Sequence, residues 1–357
     1  SIDFETYLVQ SGVVTERFVE ALCGAAKRGV VVRLLLDSIG AREFTQIDQQ
    51  RLKDAGIALR LYNPLTRKKF AMNLARDHRK ILVIDGKVAF VGGAGVTDAF
   101  DPSLNGTEAW HDIMVESTGS VVLDWSELFE QAWLFHDGMP HLTAGKRFVN
   151  YLRHQQQLLR PLASVASQTR VNASNGRGDE QIKADLVKRI RNSKRRTWVA
   201  TAYFYPSHKL RQALIKAARR GIDVRLLLPG PSTDHPSVRF ASRRYFNRLL
   251  RNGIMIYEYQ PGFSHMKIAL VDDWVSVGSC NFDRWNLRWN LEANQEILDA
   301  DFAADIRRLF EVDFEVSETF SAINWSRRHW WEKWQEYFWF QVGRFIEFIS
   351  LRMRLRR

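Results

Sequence analysis

Along Phe18-Val19-Glu20-Ala21-Leu22 and on through Ala25-Ala26-Lys27-Arg28, apolar residues recur at helical spacing. Gly29 ends that pattern, and residues 30–36 run almost without interruption in aliphatic side chains up to Asp37. An amphipathic helix, a glycine stop and a buried strand follow from this order. The same three features return in the second half. Leu210-Arg211-Gln212-Ala213-Leu214 continues into Ala217-Ala218-Arg219-Arg220-Gly221, and then into Val224-Arg225-Leu226-Leu227-Leu228-Pro229. Next, Leu52-Lys53-Asp54-Ala55-Gly56-Ile57 is answered by Leu250-Arg251-Asn252-Gly253-Ile254.

A third match closes each copy. Asp77-His78-Arg79-Lys80-Ile81-Leu82-Val83-Ile84-Asp85 corresponds to Ser264-His265-Met266-Lys267-Ile268-Ala269-Leu270-Val271-Asp272. Three matches in the same order identify an internal repeat. The expected fold class is α/β: two pseudo-symmetric α-β-α sandwich halves around a pseudo-two-fold axis. The second copy should begin with a helix over about 179–194 and a strand over 197–204. The first begins at a strand over 2–9, and its missing first helix is expected upstream of Ser1. The expected organisation is a first half over 1–140, a connecting segment over 141–175 with a helix near 148–159, a second half over 176–322, and a terminal helix over 323–357.

Composition narrows the partners. The chain has 357 residues, long enough for two cores, and a formal net charge of +12, which favours an anionic partner. Two cysteines, Cys23 and Cys280, exclude a disulfide framework, and neither sits in a metal-like cluster. No apolar run is long enough to span a bilayer. No signal-peptide pattern opens the chain.

The repeated segment carries the candidate chemistry. His78 and Lys80, like His265 and Lys267, stand two residues apart, so on a strand each pair shares one face. A single such pair usually marks a solvated strand surface. Two pairs at equivalent places in a repeat can meet across the pseudo-axis. Two lysines and an amide can hold the non-bridging oxygens of a phosphodiester. One neutral histidine can attack phosphorus while the other donates a proton to the leaving oxygen. Neither a metal nor another cofactor is required.

The motifs His78-x-Lys80-x4-Asp85 and His265-x-Lys267-x4-Asp272 resemble the paired motifs of the phospholipase D superfamily. Gly92-Gly93 and Gly278-Ser279-Cys280-Asn281 resemble its glycine-rich continuation. Val91-Gly92-Gly93 and Leu287-Arg288-Trp289-Asn290-Leu291-Glu292-Ala293-Asn294 are most similar to short bacterial cardiolipin synthases. The resemblance implies that Lys80, Lys267, Ser279 and Asn281 bind phosphate, and that Glu292 orients a catalytic histidine. Asp112, in Trp110-His111-Asp112, is the matching acid of the first half. It favours His78 as nucleophile, and assigns Asp85, Asp272, Gly92, Gly93 and Gly278 to shaping the motif.

Two departures stand out. Gly95 occupies a place where the family often has Asn. Five residues rather than six separate Asp272 from Gly278, which predicts a tighter hairpin. Cys280 and His111 read as packing neighbours of the site. Trp285 and Trp289 suit either an acceptor path or core packing.

Residues 330–351 combine a polar stripe (Glu332, Lys333, Glu336, Arg344, Glu347) with an aromatic and aliphatic face, followed by arginines. Trp330, Trp331, Trp334, Phe338 and Phe345 are the candidate membrane-interface residues of a helix lying on an anionic bilayer. Packing on the enzyme itself or on another subunit is the alternative. The expected activity is phosphatidyl transfer on phosphatidylglycerol, carried out peripherally at the cytoplasmic face of a bacterial inner membrane. Hydrolysis to phosphatidic acid, cleavage of nucleic acid and a non-catalytic lipid-binding role are the rival readings. The aromatic tail and the absence of a separate basic module argue against nucleic acid. The sequence specifies no oligomeric state.

Overall fold

A computed structural model describes residues 1–65, 75–136, 168–175, 181–282 and 290–355, without the side chains of 168, 175 and 345–355. The expected helix near 148–159 and Trp285 and Trp289 lie outside the described residues, as does the side chain of Phe345.

The first half comprises β1 (Ile2–Thr6), α1 (Val13–Lys27), β2 (Val32–Asp37), α2 (Gln46–Asp54), β3 (Ala58–Tyr62), β4 (Ile81–Ile84), β5 (Val88–Gly92), a short α3 (Pro102–Asn105), β6 (Met114–Thr118) and α4 (Val121–Leu134). The second begins with β7 (Gln168–Asn175), α5 (Gln181–Asn192), β8 (Arg196–Thr201), α6 (His208–Arg219) and β9 (Asp223–Pro229). It continues through α7 (Pro236–Arg243), α8 (Phe246–Leu250), β10 (Met255–Tyr259), β11 (Lys267–Val271), β12 (Trp274–Gly278), β13 (Leu291–Leu298) and α9 (Ala300–Glu315). The chain then adds β14 (Ser317–Thr319), α10 (Ala322–Ser326) and α11 (Trp330–Leu355).

The strand order β3-β2-β1-β4-β5-β6 of the first sheet reappears in the second as β10-β9-β8-β11-β12-β13. The directions match too: β1 and β8 are parallel to β2 and β9 and antiparallel to β4 and β11. The second sheet carries β14 and β7 as additional edges, so its strands begin before residue 176. The hairpin difference is visible. Ile84 pairs with Val88 across three turn residues, whereas Val271 pairs with Trp274 across two. Asp85 and Asp272 open these turns, both at φ 55°. Asp272 also accepts the main-chain N–H groups of Lys194, Arg195 and Arg196.

Each outer face buries the amphipathic helices read from the sequence, with Val19, Leu22 and Ala25 of α1 against β2 and Leu210, Ala213 and Ala217 of α6 against β9. The inner faces form shared cores. Trp125 and Leu128 of α4 cluster with Val171 and Ala293 of the second half, while Ile113 and Val115 of the first pack on the cluster containing Phe310 of α9. At this seam buried Gln295 accepts hydrogen bonds from Ser117 and from Trp125 Nε1, at 2.9 and 3.0 Å.

Helix α11 packs along α7 and seats Phe340 on Tyr205 and Tyr245. Its polar stripe is not simply the wet side. Glu336 is buried toward the body and pairs with Arg328 at 2.5 Å, because a guanidinium there compensates the desolvated carboxylate. Trp330 is 66% exposed, and Trp331, Trp334, Tyr337 and Phe338 are 45–50% exposed. The helix therefore packs on its own chain and still turns an aromatic stripe outward.

Candidate active site

Both histidines sit just ahead of the antiparallel strand next to each sheet's central parallel pair. From there main-chain bonds cross to the other half. His78 N donates to Leu291 O at 3.0 Å and Leu291 N to Arg76 O at 2.8 Å. His111 N donates to Phe263 O at 2.9 Å and His265 N to His111 O at 2.8 Å. Each bridge lays a histidine beside the residue preceding an acid of the opposite half.

The side chains are crossed accordingly. Nδ1 of His265 lies 2.7 Å from Asp112 Oδ2, and Nδ1 of His78 lies 3.4 Å from Glu292 Oε1. An ionised carboxylate as close as Asp112 favours the proton on Nδ1 of His265 and leaves Nε2 with its lone pair. Glycines make room for the acid strands. A Cβ at Gly92 would stand 2.1 Å from Ile113 O, and one at Gly278 would stand 2.2 Å from Ala293 O. A Cβ at Gly93 would meet the Asp112 carboxylate itself at 2.2 Å.

Lys80 and Lys267 are buried beside their histidines; Lys80 Nζ donates to His78 O at 2.5 Å, and Lys267 Nζ lies 2.8 Å from His265 Nδ1 and 3.6 Å from Asp112. Burial first, and Lys267 second, push the His265 imidazole down to about 4 against the opposing pull of Asp112. Burial likewise pushes Lys267 down to about 8 and holds Lys80 below its usual range, although Asp112 and Glu292 act to raise both. The Asp112 carboxyl would rise on burial, but Lys267 and His265 outweigh that and keep it below its usual range. Lys80 and Lys267 each feel both Asp112 and Glu292, so the charged groups of the two halves act on one another here, and the buried cations gain from an incoming anion.

The buried Ser279 hydroxyl donates to Glu292 Oε2 at 2.6 Å and accepts from Ala293 N at 3.0 Å. Asn281 is buried, with its Oδ1 facing the Thr201 hydroxyl at 3.4 Å. Cys280 is fully buried beside Ile182. His111 turns away from the reacting pair, with Nε2 3.0 Å from Asp313 and its ring stacked on Tyr259.

Some neighbours escaped the sequence reading. Asn290 Nδ2 lies 3.3 Å from both nitrogens of His78, and Tyr7 packs on that ring at 4.1 Å. Trp110, Phe100 and Phe263 surround His265 at 5.5–5.8 Å. A signal existed for two of them. Trp110 and Asn290 each stand two residues before an acid, and each lies against the histidine next to that acid. The His265 side is walled by aromatic rings, the His78 side by amide and phenol.

Beneath the first motif lies a buried ionic cluster. Arg79 Nε is 2.8 Å from Glu5 Oε1 and 3.2 Å from Asp77 Oδ1. The corresponding residues of the second copy are Ala200, Met266 and Ser264, which are uncharged.

Paired His-x-Lys motifs on a duplicated α/β sheet, each completed by the other copy's acid, define the phospholipase D type of site. The chain belongs to the family described as cardiolipin synthase, PLD-like domain, which matches residues 1–133 and 186–314. It is 35% identical over 309 residues to cardiolipin synthase B of Salmonella typhimurium, covering 86% of this chain and 72% of that protein. It is 30% identical over 333 residues to a probable cardiolipin synthase of Bacillus subtilis, covering 92% of this chain but 64% of the relative. Among solved structures, the phosphatidylserine synthase of Haemophilus influenzae shares the fold with a TM-score of 0.70 at 12% identity, over 99% of this chain and 89% of that one.

Proposed function

We propose that the chain transfers a phosphatidyl group through a phosphohistidine, joining two phosphatidylglycerol molecules into cardiolipin with release of glycerol. The observation that carries this reading is the crossed pairing of His265 with Asp112 and of His78 with Glu292, which makes one site from two halves. The cardiolipin synthases among the relatives support the choice of lipid.

His78 Nε2 attacks phosphorus of the first phosphatidylglycerol, while Lys80, Lys267 and Asn281 hold the non-bridging oxygens. The bond from phosphorus to the glycerol oxygen breaks, and that oxygen takes a proton from His265. Without a bound anion His265 is neutral at pH 7; the phosphate anion arriving between the lysines raises its basicity, so that it takes up a proton from solvent as the substrate binds. In the second step neutral His265 removes the proton from a hydroxyl of the second phosphatidylglycerol. That oxygen attacks phosphorus, the P–N bond breaks, and cardiolipin leaves. Glu292 and Asp112 hold the ring tautomers throughout.

The exposed aromatic stripe of α11 supports peripheral attachment to a membrane surface; the cytoplasmic face of the bacterial inner membrane is part of the proposal. No helix among the described residues is long and apolar enough to cross a membrane. The test is incubation of purified protein with phosphatidylglycerol vesicles and identification of the products by mass spectrometry. Cardiolipin with free glycerol is the expected result. Phosphatidic acid alone makes the chain a hydrolase, and no product overturns the assignment.

A further inference from the structure

The repeat supplies an internal control for surface charge. In the first half α1 carries Glu16 and Glu20 beside Arg17 and Lys27, and α2 carries Asp48 and Asp54 beside Arg51 and Lys53. Glu16 and Arg51 even pair across the two helices at 2.6 Å. In the second half α6, α7 and α8 contain no Asp or Glu, and the single acid of the neighbouring α5, Asp185, is paired with Arg170. Lys209, Lys216, Arg244, Arg248 and Arg251 all stand exposed on or beside them. The arginines of α7 itself, Arg239 and Arg243, turn inward onto buried Glu258. Both halves build the same sheet, so the fold does not demand this loss of acids from one face.

The cationic face borders the aromatic stripe of α11. Arg211 stands 4.5 Å over the Tyr245 ring on which Phe340 rests, and Arg244 stands 6.0 Å from the Tyr337 ring. Trp331, Trp334 and Phe338 stack on one another at 5.1 and 5.5 Å, nearly parallel. Rings whose faces already cover each other are poor platforms for nucleic-acid bases. Aromatic rings at the headgroup boundary, with long cationic side chains reaching lipid phosphates around them, suit an anionic bilayer. The loop between β8 and α6 joins this face to the site: Tyr205 packs on Phe340, and Tyr203 neighbours Phe263 beside His265.

We propose that the outer face of α6–α8, together with the exposed stripe of α11, docks the second half alone on an anionic phospholipid bilayer. This rests on the membrane reading above and adds which surface makes contact. The test compares two triple variants with equal change of net charge: Lys209→Glu, Arg244→Glu, Arg248→Glu and, on the opposite half, Lys27→Glu, Arg28→Glu, Lys53→Glu. Binding is read by sedimentation with phosphatidylcholine vesicles containing about 30 mol % phosphatidylglycerol, with melting temperature as the check on folding. A Gln version of the first triple replaces it if the Glu version melts early. The first triple should lose at least about tenfold in affinity, and the second should stay within about twofold. Equal losses overturn the proposal, because net charge alone then explains binding. No loss in the first triple, with loss on Trp331→Ser, Trp334→Ser, Phe338→Ser, overturns the face and leaves the membrane reading standing. Binding unaffected by any of the three variants sinks both. Loss of duplex DNA binding with vesicle binding intact overturns the proposal in favour of a nucleic-acid surface.

Discussion

Asp112 Oδ2 lies 2.7 Å from Nδ1 of His265, a residue of the opposite half 153 positions later in the chain. In the proposed mechanism the carboxylate fixes the proton on Nδ1 and stabilises the imidazolium when it forms. Asp112→Asn should keep the shape and lose that function, lowering kcat by on the order of 10³. Because the pair acts as a unit, Asp112→Asn with His265→Ala should be no slower than His265→Ala alone. Losses that multiply in the double variant would show that Asp112 works elsewhere.

His78→Ala and His265→Ala should each reduce cardiolipin formation to the detection limit while leaving the melting temperature near that of the parent. Both steps of the transfer need both rings. Substantial turnover by either purified variant contradicts the two-histidine mechanism.

Anion binding should be coupled to protons. Burial pushes the folded-state His265 down to about 4 and Lys267 down to about 8, so at pH 6 the empty site holds His265 neutral. An anion between the lysines raises both groups. Tungstate binding at pH 6 should therefore take up close to one proton, measured calorimetrically in buffers of different ionisation enthalpy. As pH rises through about 8, Lys267 loses its charge in the empty site and anion affinity should fall. Lys267→Met should weaken binding and flatten that limb. Absence of proton uptake at pH 6 would make His265 the neutral nucleophile and His78 the acid.

The ionic cluster under the first motif offers a stability test. Arg79→Met alone leaves Glu5 and Asp77 buried without their cation, and should cost about 3–5 kcal/mol in urea unfolding. Installing the second copy's residues together, as Glu5→Ala, Asp77→Ser and Arg79→Met, should recover most of that loss. Burial dominates Glu5 and raises its carboxyl well above its ordinary range despite Arg79. A triple variant as unstable as the single one would show that the cluster holds something other than itself.

Much of this protein could be read from its residues in order. Helix period, glycine stops and aliphatic runs depend on neighbours a few positions apart, and for that reason α1, β2, α6 and β9 fall where the pattern puts them. The shortened hairpin after Asp272 was legible for the same reason, since a turn is local. The His-x-Lys pairs were legible as repeated motifs, but β4 starts at Ile81 and β11 at Lys267, so the histidines precede the strands and do not share a strand face with their lysines. The repeat added the inference that the two pairs meet.

What the sequence did not contain was who meets whom across the seam. Pairing of His265 with Asp112 and of His78 with Glu292 depends on how two sheets pack, a relation between distant segments that no local spacing encodes. The same packing closed Ser279 onto Glu292 and put Asn290 and Trp110 against opposite histidines. It also decided the sense of α11. A helical wheel shows that one side differs from the other. Only the groove formed by Tyr205, Tyr245 and Arg328 determines that Phe340 and Glu336 turn inward while Trp331 and Trp334 face out.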